Sequence, residues 1–357
     1  MAKIDVLLPV RNGKDFLAES LNSISAQTER DWRLLVLDHG STDGSLELAE
    51  AHRARDPRVE VHSLPQAQGL AGLLNCGLDL ADCGYLMRHD ADDICYPDRM
   101  ARTLAAFAAD KECIVLSGQA DIIDATGAIT GQLHVPVGRA RVSAASLFNN
   151  PINHPAAMFD FAAASRLGVR YGVDFLRVLP AADRIEVPNL AEDYFMFGQL
   201  AVAGKCGNLP HRLIRYRRHG ANVGMTKFND QMAMSLQVSR YLARIFCASH
   251  NVPLFDPAPF CNHGGRWFDV DGQSDFDAAF ASMADSLRRG FGPSVGLERE
   301  LAFRRVGARR QVPSVLWRYF QFQAKHKAEA GEWNAVRSWL LRSLPGKSGM
   351  RIAPALQ

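Results

Sequence analysis

Three aspartates follow one short apolar segment in the first third of the chain. Residues 85–93 read Tyr-Leu-Met-Arg-His-Asp-Ala-Asp-Asp, so that Asp90, Asp92 and Asp93 come directly after a strand-like run. Carboxylates held this close together repel one another, and each raises the pKa of its neighbours unless a cation lies between them. Hard divalent ions such as Mg²⁺ and Mn²⁺ bind through carboxylate oxygens and often connect a protein to the phosphates of its substrate. The segment therefore predicts a metal–diphosphate site.

Two other interpretations of this acidic segment stay open at this point. An acidic turn after a strand is often a solvated loop that caps the next helix. A calcium-binding EF-hand loop fits poorly, because Cys95 and Ala101 occupy the positions that need glycine and glutamate when Asp90 is counted as the first position. The rest of the chain has to distinguish a solvated loop from a phosphate site.

Strand-like and helix-like segments alternate over the first 120 residues. The predicted strands are apolar runs at residues 4–10, 32–37, 59–64, 85–88 and 114–118. The predicted helices are at residues 15–27, 45–55, 70–80 and 99–109. This order predicts an α/β fold, with a mostly parallel sheet flanked by helices. Ligands bind at the carboxyl ends of the strands in such sheets, where Asp38 and Asp90 both lie, and this favours a site over a solvated loop.

The second half of the chain has a different character. A helix is predicted near residues 191–203, a long helix at 228–250, a loop-rich stretch at 251–275 and Arg-rich helical segments to about residue 344. The last of these, with Trp333 at its start, is either an interfacial membrane helix or a helix packed on the body. We expect two domains, residues 1–225 and a mainly helical C-terminal extension over residues 226–357.

Composition and charge limit the classes of protein. Apolar residues make up 47% of the 357 residues, which excludes global disorder. Seven scattered cysteines lack metal spacing, and no signal-peptide stretch or run of 18 apolar residues is present, so a cytoplasmic protein is expected. Residues 288–351 carry 14 Lys/Arg against 4 Asp/Glu. This basic end is either a solvated helical surface or a contact for an anionic partner such as membrane headgroups, an anionic acceptor or nucleic acid.

Nucleotide-binding fingerprints of two common kinds are missing. No G-x-G-x-x-G follows the first strand and no G-x-x-x-x-G-K-[ST] occurs, which disfavours dehydrogenases and P-loop proteins. Other motifs stand in order along the chain. They are Leu7-Leu-Pro-Val-Arg-Asn-Gly13, Ser23-Ile-Ser-Ala-Gln-Thr28, Val36-Leu-Asp-His-Gly-Ser-Thr-Asp-Gly44, Asn75-Cys-Gly-Leu78, Asp90-Ala-Asp-Asp93 with Pro97-Asp-Arg99, and Ala191-Glu-Asp-Tyr194.

In this combination the chain resembles a family 2 glycosyltransferase with the Rossmann-like GT-A fold, over about residues 3–220. The resemblance implies an inverting hexosyltransferase that moves a sugar from a nucleoside-diphosphate sugar to an acceptor hydroxyl. It also implies Mn²⁺ or Mg²⁺ as cofactor. A glycan or glycolipid acceptor in cell-surface polysaccharide biosynthesis is expected. The basic end suggests a peripheral contact with the inner face of the membrane.

The resemblance also assigns the donor side. Asp38 and Asp43 match the acidic turn that holds the nucleobase and ribose, whereas His39 stands where the family commonly has a second acid. This departure leaves the choice of base open, since an imidazole replaces a carboxylate only when it is neutral and correctly oriented. The D-x-D motif matches Asp90-Ala91-Asp92, with Asp92 as the metal ligand and Asp90 on the ribose or a metal-bound water. Pro9 and Asn75 complete this set.

The acceptor side and the late motif have less specific patterns. Glu192 and Asp193 match the acceptor-activating motif, with Asp193 as general base; alternatively they are only the acidic first turn of a helix. His154 resembles an acceptor-side residue, and His219 a residue that completes the metal shell, although a lone His is often only a surface residue. The neighbouring pair Arg217-Arg218 is expected to donate to phosphates.

Two other functions compete with the transferase. A non-catalytic nucleotide-sugar-binding assembly partner is compatible with His39, but Asp92 and Asp193 argue against it. A sugar nucleotidyltransferase would need a Gly-rich, Arg-bearing loop after the first strand, where this chain has only Arg11-Asn12-Gly13. Nucleic acid is not expected as a partner, because no recognition module accompanies the basic charge.

Overall fold

The computed structural model describes residues 3–220, 228–262, 275–329 and 331–343. The strands of these ranges are β1 (Ile4–Val10), β2 (Trp32–Asp38), β3 (Val59–Ser63), β4 (Tyr85–Arg88), β5 (Ile94–Cys95), β6 (Val115–Ile123), β7 (Ile129–Leu133), β8 (Met158–Asp160) and β9 (Cys206–Arg217). The helices are α1 (Lys14–Ser25), α2 (Ser45–Arg53), α3 (Gly69–Leu80), α4 (Arg99–Ala109), α5 (Arg139–Ala145), α6 (Phe161–Arg166), α7 (Glu192–Val202), α8 (Phe228–His250), α9 (Asp277–Phe291), α10 (Val295–Val306), α11 (Val312–Lys325) and α12 (Glu332–Arg342).

All the strands of the described ranges belong to one mixed sheet, in the order β3-β2-β1-β4-β8-β6-β9-β5, with β7 beside β6. The strands β3, β2, β1 and β4 are parallel. The short β8 runs antiparallel to both β4 and β6, and β5 and β7 are also antiparallel to their neighbours. The predicted α/β sheet with flanking helices is confirmed, and the antiparallel strands lie beyond β4.

The parallel half of the sheet is buried on both faces, which explains why its strands read as nearly continuous apolar runs. Every residue of β1 is buried. Val6 and Leu8 pack into one apolar cluster, whereas Leu7 between them packs into a second cluster on the other face. The register pairs Val10 with Asp38, so that β1 and β2 end together at one edge of the sheet. Asp38 and the acidic turn after β4 therefore lie at the same edge.

The C-terminal helices pack directly on the sheet domain. Phe195 of α7 and Leu242 and Phe246 of α8 belong to a single buried cluster, to which α9 and α10 also contribute. Arg141 of α5 forms ion pairs with Glu300 of α10, at 3.4 Å, and with Glu332 of α12, at 3.5 Å. The division of the chain near residue 225 remains a prediction, and the segments on its two sides share this core.

The last described helices form a smaller unit. Trp339 of α12 is fully buried against Phe303 of α10, with the ring centroids 5.2 Å apart. Of the two interpretations for this helix, packing on the body is therefore the one that the geometry supports. The predicted end of the Arg-rich helical segments, near residue 344, lies outside the described residues. Among the helices that are described, none combines the length and the apolar character needed to cross a bilayer.

Candidate active site

The acidic segment forms a compact cluster at the carboxyl end of β4. One ligand-capable oxygen from each of Asp90, Asp92 and Asp93 lies within 4.8 Å of the others. Burial raises the pKa of Asp92 and raises that of Asp93 well above its ordinary value, and the neighbouring carboxylates raise both further. Within the described ranges, the buried Oδ2 of Asp93 has no hydrogen-bond partner. An excess of negative charge with an unsatisfied carboxylate oxygen fits a divalent cation.

His219 joins this cluster from the segment that follows β9. Its Nε2 lies 2.9 Å from Oδ2 of Asp92, although the two residues are separated by 127 positions in the chain. Its ring also packs against Phe16 of α1, with centroids 5.0 Å apart. This contact brings His219 to the acidic cluster, and its role as a metal ligand remains a prediction.

Arg217 has a different position from the one expected. Its side chain is buried, and its guanidinium donates to the main-chain oxygens of Asp92, at 2.8 Å, and Asp124, at 3.0 Å, and to Glu19 at 2.5 Å. Its main-chain N–H donates to Asp93 at 2.8 Å. The prediction that Arg217 binds phosphate is therefore corrected, because the residue holds the acidic turn against β9. The next residue, Arg218, is exposed, so that its guanidinium is still available for that role.

The acidic turn after β2 is shaped by its own carboxylates. Asp38 accepts hydrogen bonds from the main-chain N–H groups of Gly40, at 3.0 Å, and Ser41, at 3.2 Å. Asp43 accepts from the N–H of Lys14 at 3.0 Å and so joins this turn to the start of α1. His39 donates from Nε2 to the carbonyl of Ala67 at 2.9 Å. The nucleotide-binding roles of these residues remain predictions, and the structure places them along one rim of the sheet edge.

Asn12 and Ser41 reinforce the same rim, and the sequence analysis assigned neither a role. Asn12 Oδ1 accepts from the N–H of Thr42 at 2.8 Å, while Ser41 Oγ accepts from the N–H of Asn12 at 3.0 Å. Asn12 has a positive φ of 54°, a conformation that asparagine tolerates better than most residues. Pro9 is buried inside β1, and its contact with the nucleotide sugar remains a prediction.

Asn75 connects α3 to a neighbouring loop. Its amide nitrogen donates to the carbonyl of Tyr171 at 3.1 Å, and its amide oxygen accepts from the N–H of Tyr171 at 3.0 Å. The predicted contact of Asn75 with the nucleotide remains a prediction, and these two hydrogen bonds fix the orientation of its amide. Tyr171 in turn contacts the acceptor side of the site.

Asp193 lies in the first turn of α7. The chain enters this helix through Leu190 and Ala191, whose φ angles of 58° and 80° are unfavourable for residues with a side chain. Strain of this kind is concentrated at functional sites. Oδ2 of Asp193 accepts from the side-chain amide of Asn150 at 3.0 Å and lies 3.9 Å from Nδ1 of His154. Burial raises the pKa of Asp193, which makes it a stronger base.

The surroundings of Asp193 are held by further buried groups. Nε2 of His154 lies 2.9 Å from the hydroxyl of Tyr171. Burial lowers the pKa of His154 well below its ordinary value, and the charge of Arg88 lowers it further, so this imidazole is neutral at pH 7. Burial and the neighbouring carboxylate of Asp193 raise the pKa of Glu192 to about 7. Glu192 is therefore present in both its protonated and its ionised form near neutral pH.

Arg88 interacts with both acidic groups of the site, the Asp90–Asp93 cluster and the Glu192–Asp193 pair. No role was predicted for this residue from the sequence. Only 2% of this residue is exposed, and its guanidinium donates to the carbonyl of His89 and to Oδ1 of Asp90. Burial raises the pKa values of Glu192 and Asp193, and the charge of Arg88 opposes both shifts. One buried cation therefore interacts with the metal-site cluster and with the predicted base. The available signal was a charged residue at the end of an otherwise apolar strand.

Known proteins share this sequence pattern and this fold. Residues 5–167 match the family model described as glycosyl transferase family 2. An uncharacterized glycosyltransferase of Haemophilus influenzae is 26% identical over 245 residues, which are 66% of this chain and 72% of that protein.

Two solved structures resemble the whole chain in fold. The S. aureus TarS fragment 1–349 in complex with UDP-GlcNAc is 14% identical and has a TM-score of 0.53, with 96% of this chain and 90% of that chain covered. The mannosyltransferase PcManGT from Pyrobaculum calidifontis in complex with GDP-Man and Mn²⁺ is 16% identical and has a TM-score of 0.50, with 96% and 86% covered. At these identities the likeness concerns the fold alone. Taken with the family match over residues 5–167 and the curated relatives, it supports a family 2 glycosyltransferase with a GT-A fold.

Proposed function

We propose that this glycosyltransferase is a metal-dependent, inverting hexosyltransferase that uses a nucleoside-diphosphate sugar. The observation that carries the proposal is the arrangement around Arg88. This buried cation pairs with Asp90 of the acidic cluster, in which His219 contacts Asp92, and the charges of Arg88 and Asp90 both act on the pKa of Asp193. A cation site for a diphosphate and a basic carboxylate for a hydroxyl are the two parts that sugar transfer requires.

The donor is proposed to lie along the edge formed by the ends of β1, β2 and β4. Asp38, His39 and Asp43 would contact the nucleoside, and Asp90 and Ala91 the ribose and diphosphate. Arg218 is exposed beside the cluster and could donate to a phosphate. The two solved structures of similar fold hold UDP-GlcNAc and GDP-Man, which supports a nucleotide sugar as the donor class.

The metal is proposed to be Mn²⁺ or Mg²⁺, held by Asp92 and His219 with support from Asp93. The mannosyltransferase of similar fold contains Mn²⁺, which supports this choice. When bound, such an ion neutralises negative charge on the departing diphosphate and so lowers the barrier by several kcal/mol. The buried Arg88 orients the carboxylate of Asp90, while Arg217 fixes the main chain of the turn that bears the ligands.

Asp193 is proposed to take the proton of the acceptor hydroxyl as the bond to the sugar forms. Burial raises its pKa, while the hydrogen bond from Asn150 orients Oδ2. General-base assistance of this kind contributes about 10²–10⁴-fold to the rate. The neutral imidazole of His154 and the carboxyl group of Glu192 would line the acceptor side. Attack opposite the leaving group inverts the anomeric centre and needs no protein nucleophile.

The acceptor is proposed to be a hydroxyl of a glycan or glycolipid in cell-surface polysaccharide biosynthesis. The family resemblance supports this class, and the basic C-terminal region supports an acceptor presented at an anionic surface.

The proposal is tested by replacing the base and measuring binding and transfer separately. Purified protein is screened with nucleotide sugars for Mn²⁺-dependent hydrolysis, and transfer is then measured with the active donor. Asp193→Asn keeps the shape of the side chain, so donor affinity should remain while transfer falls by about 100-fold or more. Asp79→Asn, at an aspartate whose side chain is 64% exposed, is the matched control and should transfer normally.

Two results would contradict the proposal. Near-normal transfer by Asp193→Asn would remove this residue from the role of base. Donor binding by the native protein without hydrolysis or transfer for any donor would instead favour the non-catalytic binding protein.

A further inference from the structure

Helix α11 is apolar on two opposite faces. Its inner face buries Val315, Tyr319 and Phe322 in the small C-terminal cluster. On its outer face Trp317 is 65% exposed and Phe320 is 63% exposed. The helical spacing places Pro313 and Ala324 on this outer face as well, where a helix on a protein surface normally carries polar residues. Large aromatic side chains that cluster on an outer face indicate a binding surface.

Positive charge surrounds this aromatic face. Lys325 ends α11, Lys327 follows it, and Arg337 lies one turn after Trp333 on α12; all four side chains are exposed. The ring of Trp333 packs on Tyr319 of the inner face of α11, with the centroids 5.7 Å apart, so this contact lies on the side of α11 away from Trp317 and Phe320. Within the described ranges, neither lysine nor Arg337 forms an ion pair.

The carboxylates of this region are directed inward. Glu332 is buried and accepts from Arg299 at 2.7 Å, and Glu329 is also within ion-pair distance of Arg299, at 3.3 Å. They are the only two carboxylates in the sequence between residues 305 and 357, which also contains ten Lys/Arg residues. Two of these, Lys347 and Arg351, belong to the C-terminal residues outside the described ranges. Both carboxylates of the region therefore pair with Arg141 and Arg299, and among the described residues neither pairs with Lys325 or Lys327.

We propose that the outer face of α11, together with the lysines at its C-terminal end, binds the anionic surface of a lipid bilayer. Tryptophan and phenylalanine favour the boundary between headgroups and acyl chains, and neighbouring Lys and Arg side chains are attracted to anionic headgroups. A second copy of the chain fits poorly, because it would bring two positively charged faces together. The C-terminal residues 344–357 fit poorly for the same reason. Binding to lipid would determine where the protein acts, and this proposal does not depend on the proposed transferase function.

The test measures lipid binding without the transfer reaction. Full-length protein is sedimented with vesicles of phosphatidylcholine alone and with vesicles that also contain phosphatidylglycerol. Binding should require the anionic lipid and weaken as salt is raised. The double variant Trp317→Ser/Phe320→Ser should bind about tenfold or more weakly, since both side chains lose apolar contact with the bilayer. Leu254→Ser, at a position 65% exposed on another part of the surface, is the control and should bind like the native protein.

A charge variant completes the test. Lys325→Gln/Lys327→Gln should weaken binding at low salt and have less effect at high salt, because it removes only the electrostatic contribution. Equal binding to both kinds of vesicle, or equal loss in the Leu254→Ser control, would overturn the proposal. Self-association that the Trp317→Ser/Phe320→Ser variant abolishes would overturn it in favour of a second copy. Hydrolysis of the donor by this double variant should stay normal, which separates failure here from failure of the proposed function.

Discussion

The buried carboxylate of Glu192 should lower the stability of the folded protein by an amount that can be measured. Burial and the adjacent Asp193 raise the pKa of Glu192 from 4.5 to about 7. Below pH 4.5 the group is protonated in the folded and the unfolded protein, and between these two pKa values only the folded protein keeps the proton. Stability therefore falls as pH rises, and above about pH 7 the full cost is present. A difference of about 2.5 pKa units corresponds to about 3 kcal/mol, at 1.36 kcal/mol per unit.

The variant Glu192→Gln removes this cost because its side chain stays neutral at every pH. Its free energy of unfolding should exceed that of the native protein by about 3 kcal/mol near pH 8, and this difference should shrink towards zero near pH 4.5. Urea unfolding at several pH values measures the difference, with a chelator present so that no divalent ion alters the electrostatics. Glu47→Gln, at an exposed glutamate in the first turn of α2, makes the same change of charge and should have little effect.

Two outcomes would refute this reasoning about Glu192. One is a variant no more stable than the native protein near pH 8. The other is a stabilisation that does not change with pH, because it would indicate better packing rather than removal of a buried charge. A gain in stability with a loss of transfer would agree with Glu192 as an acceptor-side residue, since functional sites commonly lower stability.

Two further predictions concern the metal site and the core. Asp92→Ala should abolish the enhancement of donor binding by Mn²⁺ in a nucleotide titration; equal donor affinity with and without Mn²⁺ in the native protein would exclude Asp92 as the anchor. Gly198→Ala should lower the free energy of unfolding by about 1–3 kcal/mol, because the added Cβ would overlap the buried side chain of Leu242 on α8. Leu242→Val should recover part of this loss in the double variant, and the absence of any recovery would contradict direct packing of α7 on α8.

The parallel half of the fold was predictable from local sequence. The strands β1 and β4 and the helices α4 and α8 were assigned with their observed ends or nearly so, because each has a clear period and a turn or capping residue beside it. The cluster Asp90–Asp93 was predictable for the same reason, since three carboxylates within four positions at a strand end remain close in any fold.

The antiparallel strands were not predicted as such. β8 has only three residues, and the second half of β9 contains His211, Arg212 and Arg215, which hide the alternation of a strand. β6 was expected to end at Gly118 but continues to Ile123, because β9 pairs along its whole length. Pairing between strands about 90 residues apart depends on the packing of the whole sheet, so the local sequence pattern does not predict it.

The type of a polar residue also did not determine which partners its side chain would bind. The sequence determined the order of strands and helices and the presence of acidic turns at strand ends, because these depend on neighbours a few residues away. Only the tertiary structure decided that Arg217 and Asn75 support the main chain, that His219 reaches Asp92 across 127 positions, and that Arg88 is buried where its charge acts on both acidic groups. Burial and long-range packing choose the partners of a side chain, and those partners determine its charge state and its chemistry.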